Sequence, residues 1–267
     1  MSIISLLSDF GLKDPYVAEM KGVILSISPQ AIIVDISHEI DKFNIRMGAF
    51  VLASAAPYFP QKTVHVAVVD PGVGTKRRPI IVETNRSFFV GPDNGLLILA
   101  AQKEDIINVY QITNQKHALF SISKTFHGRD IFAPTAAYLV KGLNPSSFGS
   151  LIHDYIVPNY SKSTIKNDDL IGEVLHIDNF GNIISNISIE DFKTTGIHEG
   201  NLLSIKIDNK TMNLYFHSVY GEVNIGSPLA LFNSSNFLEI SVNQGNASKL
   251  FKIKVGDPIK VSRTMKS

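Results

Sequence analysis

The 267-residue chain contains no cysteine, which removes disulfides, thiolate nucleophiles and cysteine-ligated metals together and fits a reducing compartment. It carries almost no net charge. Its 25 Lys and Arg against 24 Asp and Glu leave +1, so no broad field draws a polyanion and a dedicated nucleic-acid binder is disfavoured. Nowhere does it hold the run of about 18 apolar residues that a membrane-spanning helix requires. Its start, MSIISLLSDFG, has no basic residue before the short apolar run and reaches Asp9 early, unlike a signal peptide or anchor. Three nucleotide and metal signatures are missing as well. No glycine-rich loop ends in Gly-Lys-Ser/Thr, no triple-glycine fingerprint opens a helix, and His38-Glu39 continues as Ile40-Asp41-Lys42 rather than as a zinc-binding HExxH. The expectation is therefore no metal, no membrane and no nucleic-acid partner. The 44% of apolar residues suffices for one or two cores of about 100 to 200 residues each, and the chain reads as soluble, globular and cytoplasmic.

What is present begins as alternating short β-branched runs and longer helical patterns, the mark of a parallel or mixed sheet covered by helices. Ile3 to Leu7 reads as a strand ended by Ser8 and Asp9. Asp14-Pro15 looks like an N-cap and first helical position ahead of Val17, Met20, Val23, Ile24 and Ile27. Ala31 to Ile36 and Thr63 to Val69 follow as strands, with a helix from Asn44 to Ala56 between them. The fold expected is an α/β N-terminal domain with a central, mainly parallel sheet, over 1–155. A polar stretch without periodicity, 156–170, reads as a linker. Beyond it, 171–267 shows short alternating runs at Gly172 to Ile177, Leu202 to Ile207, Met212 to Phe216, Pro228 to Phe232 and Phe237 to Val242, which suggests a smaller β-barrel-like domain.

Three segments set polar groups among small residues where strands should end, the place where open α/β sheets bind ligands. In SDFGLKDPY, Asp9 is either a turn former or a carboxylate that accepts two hydrogen bonds from a vicinal diol. In DPGVGTKRR, Pro71, Gly72 and Gly74 let the backbone approach a ligand while Asp70 and Arg77 place opposite charges beside it; a surface ion pair among Asp70, Lys76, Arg77 and Arg78 explains the same residues. In TFHGRD, His127 is a structural histidine or a group exchanging protons near neutrality, with Gly128 leaving room beside the ring and Asp130 placed to cap a helix from Ile131. In the second half, HIDNFGNIISN sets Asp178, Phe180 and Asn182 around Gly181, and NSSNFLEISVNQGNA flanks a strand with Ser234, Ser235, Asn246 and Ala247. Each reads as a hairpin turn or, jointly, as a recognition surface for an amino acid and a purine.

The segments SDFGLKDPYVAEMKG, VDPGVGTKRR, PDNG, SKTFHGRDIFAP, DNFGN and NSSNFLEI, in this order, resemble the S-adenosyl-L-methionine hydroxide adenosyltransferase family across nearly the whole chain. That family is similar to the bacterial fluorinases and chlorinases. The resemblance implies two domains, α/β then β-rich, and a homotrimer with sites at subunit interfaces. It implies attack of a water-derived nucleophile on ribose C5′ of S-adenosylmethionine, releasing adenosine and L-methionine, with no cofactor. Carried over by position, Asp70, Arg77 and His127 are the water-activating set, Asp9 the ribose-diol carboxylate, and Asp14 and Tyr16 further contacts from the first domain. Asp178 and Asn182 stand at the methionine end, Phe180 is a packing wall, and Ser234, Ser235, Asn246 and Ala247 lie on the adenine side.

Hydrolysis is expected over halogenation. The resemblance to halogenases would place a small hydroxyl residue at the tip of the third segment, where this chain has His127-Gly128. Only a short helix and strand fit between Asp93 and His117, without the insertion resembling a fluorinase hallmark. The competing readings are a noncatalytic adenosine or S-adenosylmethionine binder, a halogenase, and a methyltransferase, the last lacking its glycine-rich loop.

Overall fold

The computed structural model describes residues 2–167 and 169–264. The chain divides into two units, 1–158 and 159–267. In the first, β1 (Ile3–Ser8), α1 (Tyr16–Ile27), β2 (Ile32–Ser37), α2 (Ile45–Ala55) and β3 (Val64–Val68) come first. They are followed by β4 (Pro79–Thr84), β5 (Phe88–Pro92), α3 (Ile98–Gln102), β6 (Ile106–Gln111) and α4 (Ala133–Val140). The six strands form one sheet in the order β2-β1-β3-β5-β4-β6. The β1–β2, β1–β3 and β3–β5 pairs are parallel, and β4 runs antiparallel to both its neighbours.

Strand β1 shows why its sequence is apolar throughout. Leu6 belongs to the same core cluster as Met20 and Ile24 of α1 and Ala133 and Ala136 of α4, whereas Leu7 lies against Gly48 of α2. Both faces are thus covered and no alternation is possible. The α1 and α2 connections leave β1 flanked by β2 on one side and β3 on the other, which creates a topological switch point at the carboxyl ends of β1 and β3. Ser8 pairs with Val68 there, so Asp9 and Asp70 emerge side by side.

Two local expectations change. Pro15, not Asp14, occupies the N-cap position of α1, and no side chain caps it. Asp130 does not cap α4 either. It lies inside a π-helical turn, Gly128–Phe132, fully buried, where its carboxylate accepts the Ser123 amide at 2.7 Å and Arg129 Nε at 2.6 Å. Arg129 also reaches Glu19 of α1 at 2.6 Å, so the Arg-Asp end of TFHGRD anchors the segment instead of starting a helix.

The second unit contains β7 (Thr164–Lys166), β8 (Asp169–Ile177), β9 (Ile183–Ser188), α5 (Ile189–Lys193), β10 (Leu202–Ile207) and β11 (Lys210–Tyr215). Then come β12 (Pro228–Phe232), β13 (Phe237–Val242), α6 (Ala247–Phe251) and β14 (Pro258–Arg263). The strands run β11-β10-β14-β8-β9-β13-β12, with β7 on β8, so the stretch read as a linker includes a short strand. A bridge from Phe216 to Ala230 joins the two ends of this order and nearly closes the antiparallel sheet into a barrel, which removes exposed edges. Leu170, Val174, Leu203, Ile205, Leu238, Ile240 and Val261 fill its interior.

Candidate active site

The loop from β3 to β4 folds back through successive turns, Val73 N–H to the Asp70 carbonyl and Thr75 N–H to the Gly72 carbonyl, each 3.2 Å. Gly74 has φ +74, and a Cβ there would collide with the Lys124 carbonyl. Only glycine allows this loop to lie against the segment that carries His127. The result is a short chain of groups. Arg77 Nε donates to Asp70 Oδ1 at 3.1 Å, its Nη2 to Asp70 Oδ2, and the same Nη2 to His127 Nδ1 at 3.0 Å. The Arg77 and Asp70 side chains are only 7% and 5% exposed, which rules out the surface ion pair. The guanidinium also lies 5.5 Å from the Phe132 ring centre, within cation–π range.

Burial, and then the nearby guanidinium of Arg77, hold the His127 pKa below the usual histidine value, against an opposing pull from Asp70 and Asp130. The imidazole is therefore neutral at pH 7. Arginine is always a donor, so the Nδ1 lone pair is engaged and the ring proton sits on Nε2. Gly128 leaves less room than its size suggests, because the space beside its Cα is taken by Met20 Sδ and Phe126 at 3.2 Å. The glycine lets α1 pack close.

A cavity of about 250 Å³ opens here, and Asp9, Asp14, Tyr16, Asp70 and His127 all line it. Arg77 stands behind, bonded to two of the lining residues. Asp9 is buried, and its Oδ2 accepts the Phe43 amide at 2.9 Å. An aromatic cluster builds one wall: Phe10, Tyr16 and Phe126 meet edge to face with ring centres 5.2 to 5.7 Å apart. Lys42 and Phe43 also line the cavity. Sequence reasoning missed both, since the connection from β2 to α2 carries no glycine signature; Phe10 and Phe126 could have been found from their place inside two of the motifs.

In the second unit, Asp178 Oδ1 accepts the amides of Phe180 at 3.0 Å and Asn182 at 2.9 Å, and its Oδ2 accepts Asn182 Nδ2 at 3.0 Å. Gly181, at φ +86, lies so close to Asn246 that a Cβ would strike its side-chain amide. Asn246 in turn caps α6, its Oδ1 accepting the Lys249 amide at 2.8 Å, with Ala247 buried beside it. Asp178, Asn182, Asn246 and Ala247 thus form one cluster, from which the Phe180 ring projects 77% exposed. Ser234 and Ser235 do not join it. They sit in the β12–β13 turn, at the far end of the six-residue strand β13, which places them roughly 20 Å away at ~3.3 Å per residue. Among the described residues no three His, Asp or Glu side chains gather to hold a metal, and no helix is long and apolar enough to cross a membrane.

Residues 4–149 match the family model described as SAM hydroxide adenosyltransferase N-terminal domain, and 172–260 its C-terminal domain. The chain is 39% identical to the (R)-S-adenosyl-L-methionine hydrolase of Methanocaldococcus jannaschii, covering 98% of this chain and 96% of that protein. It is 35% identical to the enzyme of the same name from Thermus thermophilus, over 98% and 100%. A crystal structure of an uncharacterized conserved protein from Thermotoga maritima superposes with a TM-score of 0.88 at 39% identity, over 97% of this chain and 100% of that one. Fluorinases also match, at 24–26% identity.

Proposed function

The chain belongs to the SAM hydroxide adenosyltransferase family, and from that premise we propose that it hydrolyses S-adenosyl-L-methionine to adenosine and L-methionine by nucleophilic substitution at ribose C5′. The observation that carries this reading is one guanidinium bonded to both an acid and a neutral imidazole beside a cavity that Asp9 also lines. The water oxygen forms a bond to C5′ while the C5′–S pair returns to sulfur, leaving neutral methionine thioether; the water gives up one proton. A sulfonium is already activated, so the protein's task is placement of water in line and exclusion of bulk solvent.

In this scheme Asp70 orients Arg77, and Arg77 holds His127 neutral and stabilises negative charge as it develops on the attacking oxygen. The neutral His127 is the proton acceptor: as Arg77 releases Nδ1, the attacking water takes its place at that nitrogen and delivers its proton there, while Nε2 keeps its own. Asp9 accepts the ribose diol, and Asp14 and Tyr16 complete the first-unit contacts. Asp178 and Asn182 serve the methionine end, Phe180 a wall, and Asn246 and Ala247 the adenine side, with Ser234 and Ser235 contributing from a separate part of the barrel surface. We propose further that the protein is a cytoplasmic homotrimer in which the β-rich unit of one copy completes the site of another. The water reading is favoured over halide because the neutral His127 imidazole lines the cavity with Arg77 bonded behind it.

Incubation with S-adenosylmethionine in H₂¹⁸O tests the chemistry. Adenosine carrying the label at its 5′-hydroxyl and methionine in equal amount are expected. Absence of adenosine, 5′-chloro-adenosine with added chloride, or S-adenosylhomocysteine would each sink the proposal. Light scattering tests the trimer, which a monomeric mass refutes.

A further inference from the structure

The residue assigned to the ribose, Asp9, is gripped by a segment that no motif announces, the connection from β2 to α2. Its grip falls on both sides of Asp9. The Gly11 amide donates to the His38 carbonyl at 2.8 Å, and His38 Nδ1 lies 2.7 Å from Ser8 Oγ, both residues buried. The Lys42 ammonium donates to the Asp9 carbonyl, and the Phe43 amide to Asp9 Oδ2 at 2.9 Å. A bulge in β2 prepares this arrangement: Leu6 pairs with Asp35 but Leu7 with Ser37, so Ile36 is extra and the chain beyond it is re-aimed at the end of β1.

Behind the imidazole, His38 Nε2 sits 3.2 Å from Asp35 Oδ1, whose other oxygen takes Lys21 of α1 at 2.6 Å. Serine, histidine and aspartate in a row invite comparison with a hydrolytic triad, but the geometry denies it. Ser8 is 1% exposed and already accepts the Phe10 amide at 3.3 Å, so its proton is free for Nδ1 and its oxygen has no access to a substrate. The row is a bracket joining β1, β2 and α1. At the other end of the grip, Phe43 adopts a left-handed φ of +65 with its ring 68% exposed, a backbone state that a bulky residue keeps only under constraint.

We propose that His38, Lys42 and the Phe43 amide form a clamp that sets the direction of the Asp9 carboxylate, making His38 and Lys42 positioning residues that determine selectivity for ribose over 2′-deoxyribose. The inference rests on Asp9 accepting the diol. With Oδ2 committed to the Phe43 amide, recognition falls mainly on Oδ1, and its aim depends on the clamp. A site built to pair a hydroxyl discriminates strongly against a substrate lacking it, so the sugar preference reads out the aim of that oxygen.

The test compares S-adenosylmethionine with its 2′-deoxy analogue on the wild type, Asp9→Asn, His38→Gln, Lys42→Met and the Asp9→Asn/Lys42→Met double variant. Using the ratio of kcat/KM values cancels any change in attraction for the sulfonium charge, which both compounds carry. Asp9→Asn is expected to abolish most of the ribose preference. His38→Gln and Lys42→Met each lower it about tenfold, the weight of one positioning hydrogen bond, between His38 and the Ser8 hydroxyl or from the Lys42 ammonium to the Asp9 carbonyl, with the effect falling on KM more than on kcat. The double variant shows no further loss beyond Asp9→Asn, because Lys42, bonded to the Asp9 carbonyl, acts on sugar preference only by holding the residue that carries the carboxylate. Lys42 is exposed, so its variant carries the test where His38→Gln fails to fold. Wild-type preference in Lys42→Met, alongside its loss in Asp9→Asn, overturns the clamp and spares the diol reading. Wild-type preference in Asp9→Asn overturns that reading and the clamp with it.

Discussion

Arg77 is the hinge of the site, and two substitutions separate its geometry from its charge. Arg77→Lys keeps a cation but replaces a planar fork with a single ammonium, which cannot reproduce both the 3.1 Å bond to Asp70 Oδ1 and the 3.0 Å bond to His127 Nδ1. An ammonium that keeps one of the three Arg77 bonds loses two, and at about 1.5 kcal/mol each this raises the barrier by ~3 kcal/mol, about a hundredfold in kcat. Arg77→Met removes the charge that helps to depress the His127 pKa. That pKa then rises, the more so because Asp70 is left without its partner, and a larger fraction of the ring is protonated at a given pH. The acid limb of kcat/KM, which reports the free enzyme, moves to higher pH in the methionine variant and stays near its wild-type position in the lysine variant. Adenosine release from S-adenosylmethionine, followed by chromatography between pH 5 and 9, measures both effects. A lysine variant within twofold of wild type, or a methionine variant whose acid limb is unmoved or shifted to lower pH, would show that the chain Asp70–Arg77–His127 does not operate as described.

Other expectations follow from single contacts. Gly74→Ala meets the Lys124 carbonyl at a left-handed position and should cost at least ~1 kcal/mol of stability with loss of turnover; an unchanged melting temperature contradicts this. His65, buried against Phe89 with a ring-centre distance of 4.9 Å, has its pKa pushed down to about 3 by desolvation. The unfolded chain therefore binds the extra proton between that value and the ordinary histidine value of 6.5, so stability is complete above about pH 6.5 and falls on acidification by up to ~1.4 kcal/mol per pH unit. Denaturant titrations at pH 7, 5 and 4 measure the slope, which His65→Gln should flatten; an equal slope in the variant refutes the assignment. Asp178→Ala leaves the Phe180 and Asn182 amides without their acceptor and should weaken the second unit by about 1–3 kcal/mol while raising KM; wild-type KM in a folded variant removes Asp178 from the substrate site.

Much of this molecule is written locally. The alternation of valine-rich strands and helical patterns specifies a covered sheet, because burial on both faces requires uninterrupted apolar runs such as Val64–Val68, and Leu202–Ile207, Pro228–Phe232 and Phe237–Val242 occur where their short alternating runs end. Glycines in the strand-end motifs likewise marked the loops that line the cavity, since a backbone that must turn sharply or approach closely excludes other residues. Tertiary structure alone decided the rest. That Asp9 and Asp70 emerge together depends on β1 lying between β2 and β3, a matter of strand order that no local pattern encodes. Asp130 looked like a helix cap and became a buried anchor because the π-helical turn before α4 draws it inward. Ser234 and Ser235 parted from Asn246 because the strand between them is extended, and the grip of His38, Lys42 and Phe43 on Asp9 was invisible because it joins residues about thirty positions apart through a bulge and a backbone amide. Periodicity records which face of an element is buried, whereas the meeting of distant side chains depends on how whole elements are stacked.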